Sequence, residues 1–373
     1  MTISSVSYRS NVILEEVDPP LRLVPGIEGL SFKGIGSPFQ GCAFVGAWMA
    51  TRGRAAGSQA WLLTADDGGA VLPLEIVRRG SLRIGRFPGQ THANANGWCI
   101  CPGVSPPRLS RARILAAATA AGVRIDALDL RRIADPSWIG PEFSVTHAFE
   151  QRFGVSLDGG LEAVLERGNG KRKRKKFRLQ QRHFASGGGY RFVDLPIADR
   201  TAALEVFLTQ KQQKFQTLDI PNPFAKPGMR EFLSTLFRDP RTDTRLYAIE
   251  SGGVFKAILG GIMEGQTFWG MFSSYAEDAD AAASPGELML WHVVERLSAE
   301  GVATLDLGPG TERYKRAWSD RVVPQADAKL ALTALGSLYV AGARLGLAAG
   351  DAVKGNAGMR SLVQRVRRRL RFG

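Results

Sequence analysis

Hydrophobic spacing changes character along this chain, and the clearest changes lie in its second half. Over 199–215, Ala203, Leu204, Phe207, Leu208 and Phe215 fall at helical intervals, and 229–237 reads as a shorter helix stopped by Asp239-Pro240. The period then drops towards two. TRLYAIE (244–250), VFKAILGGIMEG (254–265) and TFWGMFSSYAE (267–277), parted by Ser251-Gly252-Gly253 and Gly265-Gln266, predict a three-stranded antiparallel meander. Ser284-Pro285-Gly286 opens an amphipathic helix over 287–299, Gly301 ends it, and VATLDLG (302–308) reads as a buried strand. The first half carries the same succession more faintly. A helix over 41–52 precedes strands at 60–67 and 70–79 around a Gly68-Gly69 turn, then a short strand at 83–87, a helix at 110–121 and a strand at 122–130. Helix, hairpin, helix, strand, twice over, implies a duplicated α/β (α+β) fold in which mixed sheets are flanked by helices.

Composition sharpens the division. With 373 residues, 44% hydrophobic and 23% charged, the chain has room for about two domains and is neither disordered nor a membrane bundle. Cys42, Cys99 and Cys101 are too few and too irregular for a disulfide framework, which points to a reducing, cytoplasmic setting. Cys99-x-Cys101 is also too tight for a zinc knuckle, and no second pair stands at finger spacing, so no metal is expected. The opening residues show no export signal and no stretch reaches a membrane-spanning length. The net charge of +14 is concentrated: residues 171–182 (KRKRKKFRLQQR) carry eight positive charges and 354–373 carry seven, with no acid in either. The rest of the chain is close to neutral. These segments suit solvation, an anionic membrane surface or RNA; for 171–182 a solvated inter-domain helix is the leading reading. The expected organisation is a degenerate domain at 1–165, a basic helical linker at 166–189, a second domain at 190–325 and a basic helical tail at 326–373.

The most informative chemistry follows the meander. A strand that runs into Ser284-Pro285-Gly286 at a helix start leaves backbone N–H groups without helical partners, at the positive end of the helix dipole. Pro285 presets the turn, Gly286 lets a phosphate approach the backbone, and Ser284 adds a hydroxyl. An ordinary capped helix start uses the same residues. The order of these elements, SSYAEDADAAASPGELML (273–290) followed by DLGPGTERYKRAW (306–318), resembles the GNAT (N-acetyltransferase) superfamily. In particular it resembles double-domain acyltransferases of the cellulose and exopolysaccharide biosynthesis type, the acetyltransferase family 6-like branch, with a more distant similarity to Fem-type peptidyl transferases. Ser37-Pro38-Phe39-Gln40 resembles the segment that opens the first domain in that family, so the likeness spans about 35–325.

The resemblance implies an acyltransferase with acyl-CoA (acetyl-CoA) as co-substrate and an amine or hydroxyl of a sugar or polysaccharide precursor as acceptor. Met271, Phe272, Ser273 and Ser274 would offer backbone groups to the pantetheine of the donor, and Ser284, Pro285, Gly286, Glu287 and Leu288 would hold its pyrophosphate. Lys315 would bind substrate or stabilise developing charge, and Tyr314 would protonate the departing thiolate. Asp306 and Glu312 are the carboxylates from which a base or an orienting partner is to be chosen. Lys315 also reads as a surface lysine, and Tyr314 as a core plug. His92, in the loop 89–98, is placed to approach a cleft between the domains, whereas His292 reads as a core or edge residue. The Fem likeness makes aminoacyl-tRNA a rival donor, with the 171–182 run as its contact. A non-catalytic scaffold for a polysaccharide synthase, or a peripheral membrane protein attached through 171–182 and 354–373, is the reading outside enzymology.

Overall fold

A computed structural model describes residues 19–27, 36–65, 68–147 and 151–355. In chain order the first half supplies β1 (Leu21–Pro25), α1 (Cys42–Trp48), β2 (Gln59–Ala65), β3 (Ala70–Arg79), β4 (Leu82–Arg86), β5 (Cys99–Ile100), α2 (Arg111–Ala120), β6 (Ala127–Ile133) and β7 (Ser144–His147). Then come β8 (Gln151–Ser156), α3 (Gly160–Glu166), α4 (Gly170–Ser186), β9 (Arg191–Asp194), α5 (Arg200–Thr217), α6 (Met229–Arg238), β10 (Thr244–Ser251), β11 (Val254–Glu264), β12 (Thr267–Tyr275) and α7 (Pro285–Ala299). The chain continues through β13 (Thr304–Gly310), α8 (Arg313–Trp318), β14 (Arg321–Val323), β15 (Ala326–Ala331) and α9 (Ala334–Gly355).

Two mixed sheets result, and their strand orders match. One runs β1-β2-β3-β4-β6-β15-β7, with β5 attached to β3; the other runs β14-β8-β13-β12-β11-β10-β9. Reversing the second aligns it position for position with the first, so that β4 and β6 correspond to β12 and β13. Those are the parallel neighbours in both sheets, and in both their pairing is brief: Ile84 and Gly85 against Ala127 and Leu128, and Thr267, Phe268 and Trp269 against Thr304, Leu305 and Asp306. A helix joins the two strands in each case, α2 in the first half and α7 in the second, as a parallel crossover requires. The duplicated α/β fold read from the hydrophobic pattern is therefore present.

The expected boundaries need correction. β8 lies before residue 165 yet pairs with β13 and β14 in the second sheet, while β15, assigned above to a helical tail, inserts between β6 and β7 of the first. Each half thus completes the other's sheet. The core repeats the message. Phe39, Phe44 and Trp48 from the first half share one apolar cluster with Phe207, Phe232 and Phe272 from the second. Phe232 meets both Phe44 and Trp48 edge-on, at 5.3 and 5.1 Å between ring centroids. Such pairs contribute about 0.5–1.5 kcal/mol each beyond burial, so the halves are fused rather than tethered.

α4 packs one face on the second half and leaves the other, with Lys171, Arg172, Lys175, Arg178 and Arg182, exposed. Phe177 stacks on Trp291 of α7 at 4.2 Å, and Phe184 is buried in the same cluster. Among the described residues no helix is long and apolar enough to cross a membrane. The cationic segment 360–373 lies outside the described residues.

Candidate functional site

Beyond Trp269 and Asp306, β12 and β13 part company. Asn94, on a loop of the first half, enters at that fork. Its amide donates to the Gly270 carbonyl (2.7 Å) and to Asp306 Oδ1 (3.3 Å), while Gly308, at φ 71°, leaves the space that Asn94 occupies. The loop is held from behind by the segment matched in the sequence. Gln40 Nε2 donates to Asn96 Oδ1 at 2.8 Å, and Ser37 Oγ donates to the Ala95 carbonyl at 2.7 Å. Gln325, just before β15, donates to the Asn94 carbonyl at 2.7 Å.

The parting frees one edge of β12. Ala276 N–H donates to the Lys256 carbonyl, which sets the antiparallel phase with β11: Phe272 and Ser274 commit their backbone groups to β11, and Ser273 and Tyr275 turn theirs into the fork. Below this edge lies a cavity of about 510 Å³, walled by Lys211 and Lys214 of α5, Ser273 and Tyr275, Ser284 and Gly286 of the turn, and Tyr314. Ser284 sits at φ 58° and ψ 62°, and no side chain caps α7. A Cβ on Gly286 would touch only Tyr275, at 3.9 Å, so the corner is open. The corresponding α2 of the first half closes its own start, because Ser110 Oγ accepts from Arg113 N–H. That difference separates a usable anion corner from a sealed one.

A second cavity, of about 190 Å³, lies between the halves, with Asn94 and Arg132 from the first and Gly308, Pro309 and Lys315 from the second. Lys211, Ser273, Glu312 and Tyr314 belong to the walls of both cavities, so the two meet there.

Lys315 is 7% exposed, not a solvated surface lysine. Its ammonium donates to the Pro309 carbonyl at 2.7 Å and pairs with Glu312 at 3.3 Å. A side chain at Gly310 would crowd the Glu312 carboxylate and that ammonium, two flexible ends that would have to shift. Burial, reinforced by the Glu312 carboxylate and opposed by Ser273, raises the pKa of Tyr314 and keeps the phenol protonated. Lys211 is pushed down to about 8, chiefly by burial, with Lys315 and Lys214 adding repulsion against the attraction of Glu312.

Asp306 is drawn elsewhere. It is 4% exposed, pairs with Arg152 at 3.1 Å, and accepts from Gly308 N–H at 2.8 Å as well as from Asn94. Burial raises its pKa against the pull of Arg152. Its oxygens are occupied at the base of the fork, and it lines neither cavity.

Of the residues anticipated from sequence, Ser273, Ser274, Ser284, Gly286, Glu287, Glu312, Tyr314 and Lys315 line the cavities. Met271 and Phe272 face the second cavity rather than the first. Phe272 packs its ring on Phe207 at 4.2 Å, and Ser274 gives its hydroxyl to Gln210 at 2.6 Å. Pro285 and Leu288 are buried away from the wall, Leu288 at 0% exposure; Met289 and Leu290 take its place. Lys211, Gln210, Asn94 and Arg132 were missed. The signal for Gln210 and Lys211 was the polar run Gln210-Lys211-Gln212-Gln213-Lys214 on the helix that buries Ala203 and Phe207; Asn94 lay in the loop 89–98 already placed near the cleft, and Arg132 had no signal.

His92 lies tilted against Trp48 and edge-on to Phe224, and burial, with Lys226 next, lowers its pKa to about 3; it stays neutral and lines neither cavity. His292 bonds Tyr190 and Glu295. The three cysteines are free thiols, and no metal-binding cluster occurs among the described residues.

Residues 171–316 match the family described as Acetyltransferase (GNAT) domain. Comparison with curated proteins returns no match. Among solved structures, the fold is similar to the crystal structure of FemX at 9% identity and TM-score 0.56, over 83% of this chain and 96% of that one. It is also similar to a conserved protein of unknown function from Bacteroides thetaiotaomicron VPI-5482, at 11% identity and TM-score 0.54, over 82% and 95%. The forked strands and the uncapped α7 fall within the stretch that matches the GNAT acetyltransferase domain, and on that match the protein is an acyltransferase.

Proposed function

We propose that the chain transfers an acyl group from an acyl-CoA, lying along β12 in the larger cavity, to an amine or hydroxyl held in the smaller one, the acceptor being a sugar or saccharide precursor. The observation that carries this reading is the meeting of the two cavities at Lys211, Ser273, Glu312 and Tyr314. The free backbone edge at Ser273 and Tyr275 suits the amides of a pantetheine arm, and the open Gly286 corner suits its pyrophosphate.

In the transfer, the acceptor nitrogen or oxygen attacks the thioester carbonyl, a C–N or C–O bond forms and the C–S bond breaks. The acceptor proton passes to Glu312 or to neutral Lys211, and Tyr314 supplies the proton taken up by the thiolate. Lys315 and Arg132 place positive charge on the acceptor side. Asp306 and Arg152 hold the fork open without touching the reacting atoms.

Thiol release from a panel of acyl-CoAs with amino sugars tests the reading. Gly286→Glu, which drives a carboxylate into open space, should abolish turnover and donor binding while leaving thermal stability unchanged. Turnover by that variant equal to wild type would remove the donor assignment.

A second donor, aminoacyl-tRNA, is supported by the likeness to FemX and by the cationic α4 that borders α7. Salt-sensitive binding of charged tRNA, with no binding of acyl-CoA, would favour it.

A further inference from the structure

The basic run on α4 contains one residue that surface solvation does not explain. Lys173 is 8% exposed, and its ammonium has no hydrogen-bond partner. It lies over the Trp318 ring at 4.9 Å and against the backbone of Gly168, where any side chain would come within 2.4 Å of the nitrogen. Burying an ammonium with no acceptor is strongly unfavourable, and burial does lower its pKa, with Arg172 adding to the effect.

The surroundings are also cationic. A pocket of about 240 Å³ opens between α4, the start of α7 and α8, lined by Arg172, Lys173, Lys176, Arg313, Trp318 and Glu287 among others. Lys176 takes Glu287 at 2.6 Å. Arg172 and Arg313 have no carboxylate within ion-pair distance among the described residues. Three positive groups thus converge with no protein anion left to answer them.

Glu287 and Tyr314 also line the donor cavity, so the pocket adjoins its phosphate end. We infer that the pocket between α4, α7 and α8 is a phosphate-binding site, taking a terminal phosphate monoester of the donor's nucleotide, with Lys173, Arg172 and Arg313 as its cations. This assignment of the monoester rests on the acyl-CoA reading above. The phosphate site itself does not, since inorganic pyrophosphate offers the same chemistry.

The test is calorimetry on the full chain with coenzyme A and 3′-dephospho-coenzyme A, and with inorganic pyrophosphate on a Gly286→Glu background, which closes the corner assigned above to the donor's own pyrophosphate and serves as the reference chain for that probe. Wild type, or for pyrophosphate that reference chain, is compared with Lys173→Met, Arg172→Gln and Arg313→Gln; the two arginines are exposed, so their loss leaves the fold intact. The wild type should prefer coenzyme A over the dephospho form by about tenfold, as charge-assisted hydrogen bonds to phosphate typically give. The variants should lose that preference and the binding of pyrophosphate, while keeping their affinity for the dephospho form.

If coenzyme A and its dephospho form bind equally well to the wild type, or the preference survives in all three variants, the monoester assignment is overturned and the donor reading stands. If neither coenzyme binds but pyrophosphate binds the reference chain and not the variants made on it, the phosphate site stands and the acyl-CoA reading falls. Pyrophosphate that fails to bind the reference chain, or binds all the variants as well, overturns the site.

Discussion

Lys211 gives the sharpest test of where the chemistry lies, because holding its charge there costs stability. Its pKa falls from 10.5 to about 8, mainly through burial between the two cavities. Every tenfold loss of proton affinity corresponds to about 1.4 kcal/mol, so below pH 8 the charged ammonium lowers folding stability by up to about 3 kcal/mol relative to a lysine in water. Because the folded pKa lies below the unfolded one, the penalty is complete below pH 8, declines as pH rises from 8 to 10.5, and is gone above 10.5.

Lys211→Met keeps the aliphatic stem beside Phe207 and Phe215 and removes the charge, losing only cation–ring contacts at 6.0 Å. Those are worth about 0.5–1 kcal/mol. Urea unfolding should therefore find the variant about 2 kcal/mol more stable than wild type at pH 7, with the gain vanishing by pH 10.5. Acyl transfer should fall in the same variant. A residue that costs stability where it stands is retained for function, the usual trade at active sites. Should Lys211→Met prove destabilising at pH 7, or its effect be flat across the pH range, the buried charge assigned to the junction would be wrong.

Other outcomes follow from the same geometry. Tyr314→Phe removes the phenol placed to protonate the thiolate, so steady-state kinetics should show kcat reduced about 10²–10⁴-fold with little change in donor affinity. Asp306→Ala strands the Arg152 guanidinium and unpairs Gly308 N–H at the base of the fork; urea unfolding should register a loss of about 3–5 kcal/mol. Gly260→Ala would set a methyl 2.3 Å from the Phe272 ring across β11 and β12, costing about 1–3 kcal/mol, read as a lowered melting temperature.

Short-range forces write much of this molecule directly into the order of its residues. Glycine turns at 251–253 and 265–266 separate the three strands of the meander, and the structure keeps all three. The period of 3.6 marks α5, α6 and α7, and Ser284-Pro285-Gly286 marks where α7 begins. Ser284 and Gly286 stood out from the turn they make, and Tyr314 and Lys315 from the resemblance to the GNAT pattern; all four line the cavities. Long-range packing settles what such signatures leave open. β8 and β15 are six residues each, and nothing within them says which sheet they join; only the vacancy beside β13, or between β6 and β7, selects them. Asn94 and Lys211 look like ordinary polar positions on a loop and a helix. They become part of the site because the shared apolar core, Phe39 and Phe44 against Phe207 and Phe232, presses one half's loop into the other half's fork. Periodicity fixes a face of each element, whereas burial over the whole chain fixes which faces meet, and a catalytic cleft is made where they do.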